Sequence, residues 1–122
     1  MPDNQRLSNE LGTINISEEV ISIIAALATM ECYGLVGMAK QGIQAGLSQL
    51  LGSKSLSQGV NIEIIDQGVK VDLFIIVEYG VKISEVANNI IERVKYSLEK
   101  RAGVNVLEVN INVQGVRVEN VT

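Results

Sequence analysis

The run Leu73-Phe74-Ile75-Ile76-Val77 is apolar at every position, and in a strand over about 69–79 it places large side chains on both faces of a sheet. A strand of that kind belongs in the middle of a sheet, so the rest of the chain has to be arranged around it. Just upstream, Val60, Ile62 and Ile64 alternate with polar residues. Keeping them on the same face as Val69, Val71 and Leu73 requires position 64 to oppose 69. The two runs then form a hairpin around Ile65, Asp66, Gln67 and Gly68, with Gly68 supplying a positive φ.

The flanking segments alternate in type. Residues 12–16 read as a short strand with Ile14 and Ile16 on one face, and Ser17 follows as a helix cap with Glu18 and Glu19 in the favourable first turn. That helix is expected to run to about Tyr33, ended by Gly34. A second helix is expected from about Ser84 to Gly103, amphipathic through Val86, Ala87, Ile90, Ile91, Val94 and Leu98. The last strand, 104–113, turns Leu107, Val109, Ile111 and Val113 inward. Val116 and Val118 have the opposite parity, which calls for a bulge at Gln114 and Gly115. The order βα(α)ββαβ is a split βαβ arrangement: an α+β, two-layer fold with helices on one face of a mixed or antiparallel sheet.

Two segments resist simple assignment. Residues 34–59 hold six of the eleven glycines, yet Ile43, Leu47, Leu50 and Leu51 keep a helical spacing, so a short helix over about 38–51 is expected. The first helix is apolar around nearly its whole circumference from Val20 to Ala28. One sheet cannot cover such a helix, so another segment or another subunit must hide the remaining face. Residues 1–10 are polar apart from Leu7 and the initiator Met and are expected to be disordered. The expected single domain spans 11–118, with a tail at 119–122.

Composition narrows the chemistry. Of 122 residues 47% are hydrophobic but only 3% aromatic, and there is no His, no Trp and one Cys. His-based acid/base catalysis, Ser-His and Cys-His pairs, an internal disulfide and ordinary zinc sites are thereby excluded. Ten Lys and Arg against fourteen Asp and Glu leave a net charge of −4, unfavourable for binding a phosphate backbone or an anionic membrane. The longest apolar stretch, 20–28, is too short to span a bilayer, and no leader pattern precedes it.

Local motifs fare no better as catalytic signals. Gly46, Gly52, Ser53, Lys54 and Ser55 miss the phosphate-loop spacing. Gly42 and Gly46 lie among Gln and Lys, unlike a membrane helix pair. Asp72 and Glu78 are about 20 Å apart along one strand. Arg93, Lys95, Lys100 and Arg101 read as surface charge diluted by Glu92 and Glu99. Cys32 lies beside Glu31 near a helix C-terminus, a setting that suppresses the thiolate. No cofactor, metal or nucleic acid is expected.

Taken together, GVKVDLFIIVEYG (68–80), ISEVANNIIERVK (83–95), EVNINVQGV (108–116) and the opening GTINISEEVISIIAALA (12–28), followed by Gly34 and Gly37, resemble the alkaline shock protein family of Gram-positive bacteria. The resemblance covers 12–118. It implies a cytoplasmic, non-enzymatic protein of cell-envelope homeostasis or stress response that self-associates and, in some members, is held at the membrane by a separate anchor protein. The chain lacks the long polar extensions of the stress-induced members and is more similar to the short housekeeping type. The expected role is therefore a scaffold forming a homo-oligomer, without inserting into the membrane itself. The expected interaction surface comprises Phe74 and Ile76 on the free sheet face, Ile21 and Ile24 on the first helix, and Ile43 and Leu47 in the glycine-rich segment. The alternatives are a ligand-dependent enzyme or regulatory subunit using oxygen ligands alone and, with less support from the charge, an RNA-binding module.

Overall fold

A computed structural model of the chain describes residues 4–40, 50–52 and 55–118. It opens with a hairpin, β1 (Asn4–Asn9) against β2 (Gly12–Ser17), in which Asn9 pairs with Gly12 and the Asn9 Oδ1 accepts the Leu11 N–H at 2.8 Å. The expectation of a disordered segment at 1–10 is thus corrected for 4–9. Its polar residues are held by backbone pairing with β2. Half-buried Leu7 supplies the one apolar anchor: a Cβ built on Gly103 would lie 3.4 Å from Leu7 Cδ1.

Helix α1 (Glu18–Met30) starts as the sequence indicates, with Ser17 Oγ accepting the Val20 N–H at 3.2 Å. It stops three residues before Tyr33, because the N–H groups of Glu31 and Cys32 close tight turns onto the Ala28 and Thr29 carbonyls. Gly34, at φ +88, lets the chain leave the helix where a Cβ would come within 2.7 Å of Val86 Cγ2. A strand that the sequence pattern does not indicate then follows, β3 (Leu35–Met38), with Met38 fully buried. Residues 41–49 lie outside the described residues, and with them Ile43, Leu47 and most of the helix expected over about 38–51. Leu50 re-enters by bridging Ala39.

A single 3-10 turn (Leu56–Gly59) leads to β4 (Val60–Ile65), which pairs antiparallel with β5 (Gly68–Glu78). Ile64 opposes Val69 as the apolar pattern requires, and Ile65 opposes Gly68, leaving Asp66 and Gln67 as the turn. Helix α2 (Ile83–Ser97) ends in a π turn (Leu98–Ala102) that Gly103 terminates at φ +68. Strand β6 (Val106–Arg117) returns parallel to β5. Its register slips at Gln114, between the pairs Ile75–Val113 and Ile76–Gly115, which is the expected bulge. A second slip at Leu107 corrects the inward assignment of that residue: it is exposed, and Val106 points into the core instead.

All other strands of this sheet attach to β5. β6 occupies one of its edges, while β4 and β3 share the other end to end, β4 from Gly68 to Leu73 and β3 from Ile75 to Val77. Both helices cover one face. Ile21, Ala25 and Ala28 of α1, Val86, Ile90 and Val94 of α2 and Leu98 of the π turn meet Val60, Ile62, Ile64, Val71, Leu73, Ile75, Val77 and Val109 in one aliphatic core. The fold is α+β in two layers, as expected, with the N-terminal hairpin added.

Candidate interaction surface

The first helix carries two apolar faces. Ile21, Ala25 and Ala28 enter the core, while Val20, Ile23, Leu27 and Met30 stay exposed at 45%, 41%, 53% and 41%. These four recur at intervals of three, four and three, so on a helix of 3.6 residues per turn they form one stripe along the outer side. No described residue covers it. Glu18 and Glu19 flank its N-terminal end. At the other end Glu31 meets the Arg93 Nε of α2 at 3.4 Å, both side chains half exposed.

The outer sheet face differs from the expected apolar patch. Ile76, expected there as an exposed contact, is 3% exposed and so is corrected to a buried residue. Its cross-strand neighbours are Gly37 and Gly115, which carry no side chain, and a Cβ on Gly37 would lie 2.8 Å from Leu50 Cδ2. The Leu50 side chain therefore folds over this end of the sheet. Phe74 is half-buried and sits beside a polar array. The Asn110 amide donates to Asp72 Oδ1 at 2.9 Å and to Glu108 Oε2 at 2.8 Å, and the Asn112 amide donates to the Leu73 carbonyl at 3.2 Å.

Of the other expected contacts, Ile21 is fully buried and is likewise corrected to a core residue, while Ile24 is half-buried against the core. Of the four expected contacts that fall within the described residues, only Phe74 on the outer sheet face and Ile24 on α1 keep part of their surface in solvent. The residues that do form a continuous surface, Val20, Ile23, Leu27 and Met30, were legible only as part of the helix's all-round apolarity. Removing the positions that are buried or half-buried, 21, 22, 24 to 26, 28 and 29, leaves the apolar 3-4-3 spacing as the signal.

Titratable groups add little chemistry. Burial pushes the Cys32 thiol up, Arg93 opposes that and Glu31 adds to it, so the thiolate is disfavoured. The Lys95 ammonium, together with the Val106 N–H, holds the Glu99 carboxyl below its ordinary value. Among the described residues no group of three or more Cys, Asp or Glu is placed to hold a metal ion. No helix among them is long and apolar enough to cross a membrane.

Known proteins of Gram-positive bacteria are similar in sequence over most of the chain. YloU of Bacillus subtilis (strain 168) is 46% identical over 115 residues, covering 93% of this chain and 96% of YloU. A stress response regulator gls24 homolog of Streptococcus pyogenes serotype M3 (strain ATCC BAA-595 / MGAS315) is 30% identical over 107 residues, 87% of this chain and 59% of that protein. A solved variant of the MamM CTD superposes with a TM-score of 0.48 at 13% identity, covering 84% of this chain and 95% of that one, a likeness too low to carry an argument. The model of the alkaline shock protein family, which has a cell envelope-related function, matches residues 6–118, and the chain belongs to that family.

Proposed function

We propose that this protein is a non-enzymatic, self-associating scaffold of cell-envelope homeostasis. It works in the cytoplasm and reaches the membrane through a protein partner rather than by its own insertion. The observation that carries this reading is the stripe on α1 that no described residue covers, since four large apolar side chains about half exposed along one helix face mark a docking surface. The family's cell envelope-related function gives the setting. The non-enzymatic part rests on a composition without His and with one suppressed thiol. Recruitment through a partner follows from the net charge of −4, which repels anionic headgroups.

Two measurements test it. Sedimentation equilibrium of the purified chain should give a mass above 13.2 kDa at micromolar concentrations, and a monomer throughout would overturn self-association. Co-sedimentation with protein-free phosphatidylglycerol vesicles at moderate salt should leave the chain in the supernatant. Robust pelleting would replace the partner by the lipid surface itself.

A further inference from the structure

The exposed positions of α1 are symmetric about their own midpoint. Val20 and Met30 lie five residues on either side of Ala25, and Ile23 and Leu27 lie two on either side. A second copy laid antiparallel across this stripe would therefore set Val20 against the partner's Met30 and Ile23 against the partner's Leu27, twice, about a two-fold axis level with Ala25. An isologous interface needs that kind of self-complementarity. The 3-4-3 spacing is also the a/d seam by which two helices interlock at a shallow angle.

Charge selects the orientation. A parallel pairing would stack Glu18 and Glu19 on the same residues of the other copy and align the two helix dipoles. In the antiparallel pairing Glu19 falls opposite the partner's Glu31. That carboxylate already has a guanidinium beside it, contacted through Nε, one of five donors. Arg93 of one copy then lies between its own Glu31 and the partner's Glu19, joining two acids that would otherwise repel. Resting on the reading of the chain as self-associating, we infer that the α1 stripe is the contact between two copies, with the helices antiparallel and Arg93 bridging Glu31 to the partner's Glu19.

The area predicts how tight the pairing is. Four side chains about half exposed offer roughly 300–400 Å² per copy, so about 600–800 Å² is buried in all, below the standard size of stable interfaces. The dimer is therefore reversible, with dissociation in the micromolar range and faster exchange at high salt.

The full-length chain tests this by sedimentation equilibrium from micromolar to several hundred micromolar, with circular dichroism as the check on folding. Leu27→Glu and Ile23→Glu should each weaken dimerisation at least tenfold while leaving the fold intact, because both side chains are already about half in water. Arg93→Glu should weaken it several-fold, and Glu19→Arg combined with Arg93→Glu should restore it, an outcome that only the antiparallel order allows. If the wild-type chain associates and neither apolar variant changes its affinity, the α1 contact is wrong while self-association stands. If the apolar variants dissociate but the double charge reversal does not restore pairing, the antiparallel order is overturned. If the wild-type chain is monomeric throughout and Leu27→Glu lowers its thermal stability, the stripe is covered by the chain's own residues and both readings fall.

Discussion

The carbonyl oxygen of Asn105 occupies the space into which a Cβ at position 68 would project. Gly68, at φ +153, can therefore be nothing else. The same carbonyl accepts the Val69 N–H at 2.9 Å, and the Asn105 side-chain amide donates to the Gln67 carbonyl at 2.7 Å. The chain entering β6 is thus pinned to the turn that opens β5. Gly68→Ala should cost about 2–4 kcal/mol through strain and displacement of this contact. Asn105→Ala, which removes only the side-chain bond, should cost about 1 kcal/mol. Urea denaturation separates the two, and equal losses would mean that the backbone approach is not what fixes the glycine.

Thr29 is fully buried in α1, and its hydroxyl donates to the Ala25 carbonyl at 2.8 Å. That carbonyl is also the acceptor of a helical N–H. Losing the hydroxyl therefore leaves no buried acceptor without a donor. Thr29→Val should be within about 0.5 kcal/mol of the parent, whereas Thr29→Ser, which keeps the hydroxyl and removes the packed methyl, should lose about 1 kcal/mol. Thermal unfolding that ranks serine above valine would show that the hydrogen bond outweighs the packing.

Glu99 ties the π turn to the start of β6, accepting from Lys95 Nζ at 3.0 Å and from the Val106 N–H at 3.3 Å. Its folded pKa lies below the ordinary 4.5, so its contribution to stability is present above 4.5 and is lost as the pH falls through the depressed folded value. Glu99→Gln should lower stability at pH 7 and flatten the acid limb of the stability curve below 4.5. Urea midpoints measured at pH 7, 5 and 3.5 check this. An unchanged acid limb in the variant would assign the acid sensitivity to other carboxylates.

Cys32 is half-buried with its thiol pKa raised, chiefly by burial, and its Sγ makes a weak contact of 3.7 Å with the Ala28 carbonyl. The native chain should react with a disulfide reagent at pH 8 several-fold more slowly than the urea-unfolded chain. Cys32→Ala should cost no more than about 1–2 kcal/mol and leave self-association unchanged. Rapid native-state labelling would contradict the suppressed thiolate.

The sequence made some of this arrangement readable and concealed the rest for identifiable reasons. Period-two patterns place β4, β5 and β6, and the parity of Ile64 and Val69 fixes the pairing of β4 with β5. The change of parity after Val113 located the bulge. β3 was hidden because its four residues include Gly37, and it exists only because β4 ends early and leaves the second half of β5 open on that edge. β1 was hidden because backbone pairing holds a polar segment that its side chains do not advertise. Ile76 looked like surface because alternation reports which face a side chain takes, not what lies over it. Two neighbouring glycines and Leu50 are set by tertiary contact alone. On α1, uniform apolarity announced a second covered face but gave no means of dividing the residues between the two until the core claimed Ile21, Ala25 and Ala28.

The attachment of every strand of the main sheet to β5 also governs how relatives can vary in length. Adding or removing one residue within β5 would reverse the facing of everything beyond it against three partners at once, turning Ile75 and Val77 out of the core in a single event. The same change between β3 and β4 would disturb no pairing across β5, because neither strand takes its register from the other. Insertions and deletions among family members should therefore gather between Met38 and Val60 and avoid 68–78, so that the central strand acts as the ruler against which the rest of the lineage is measured.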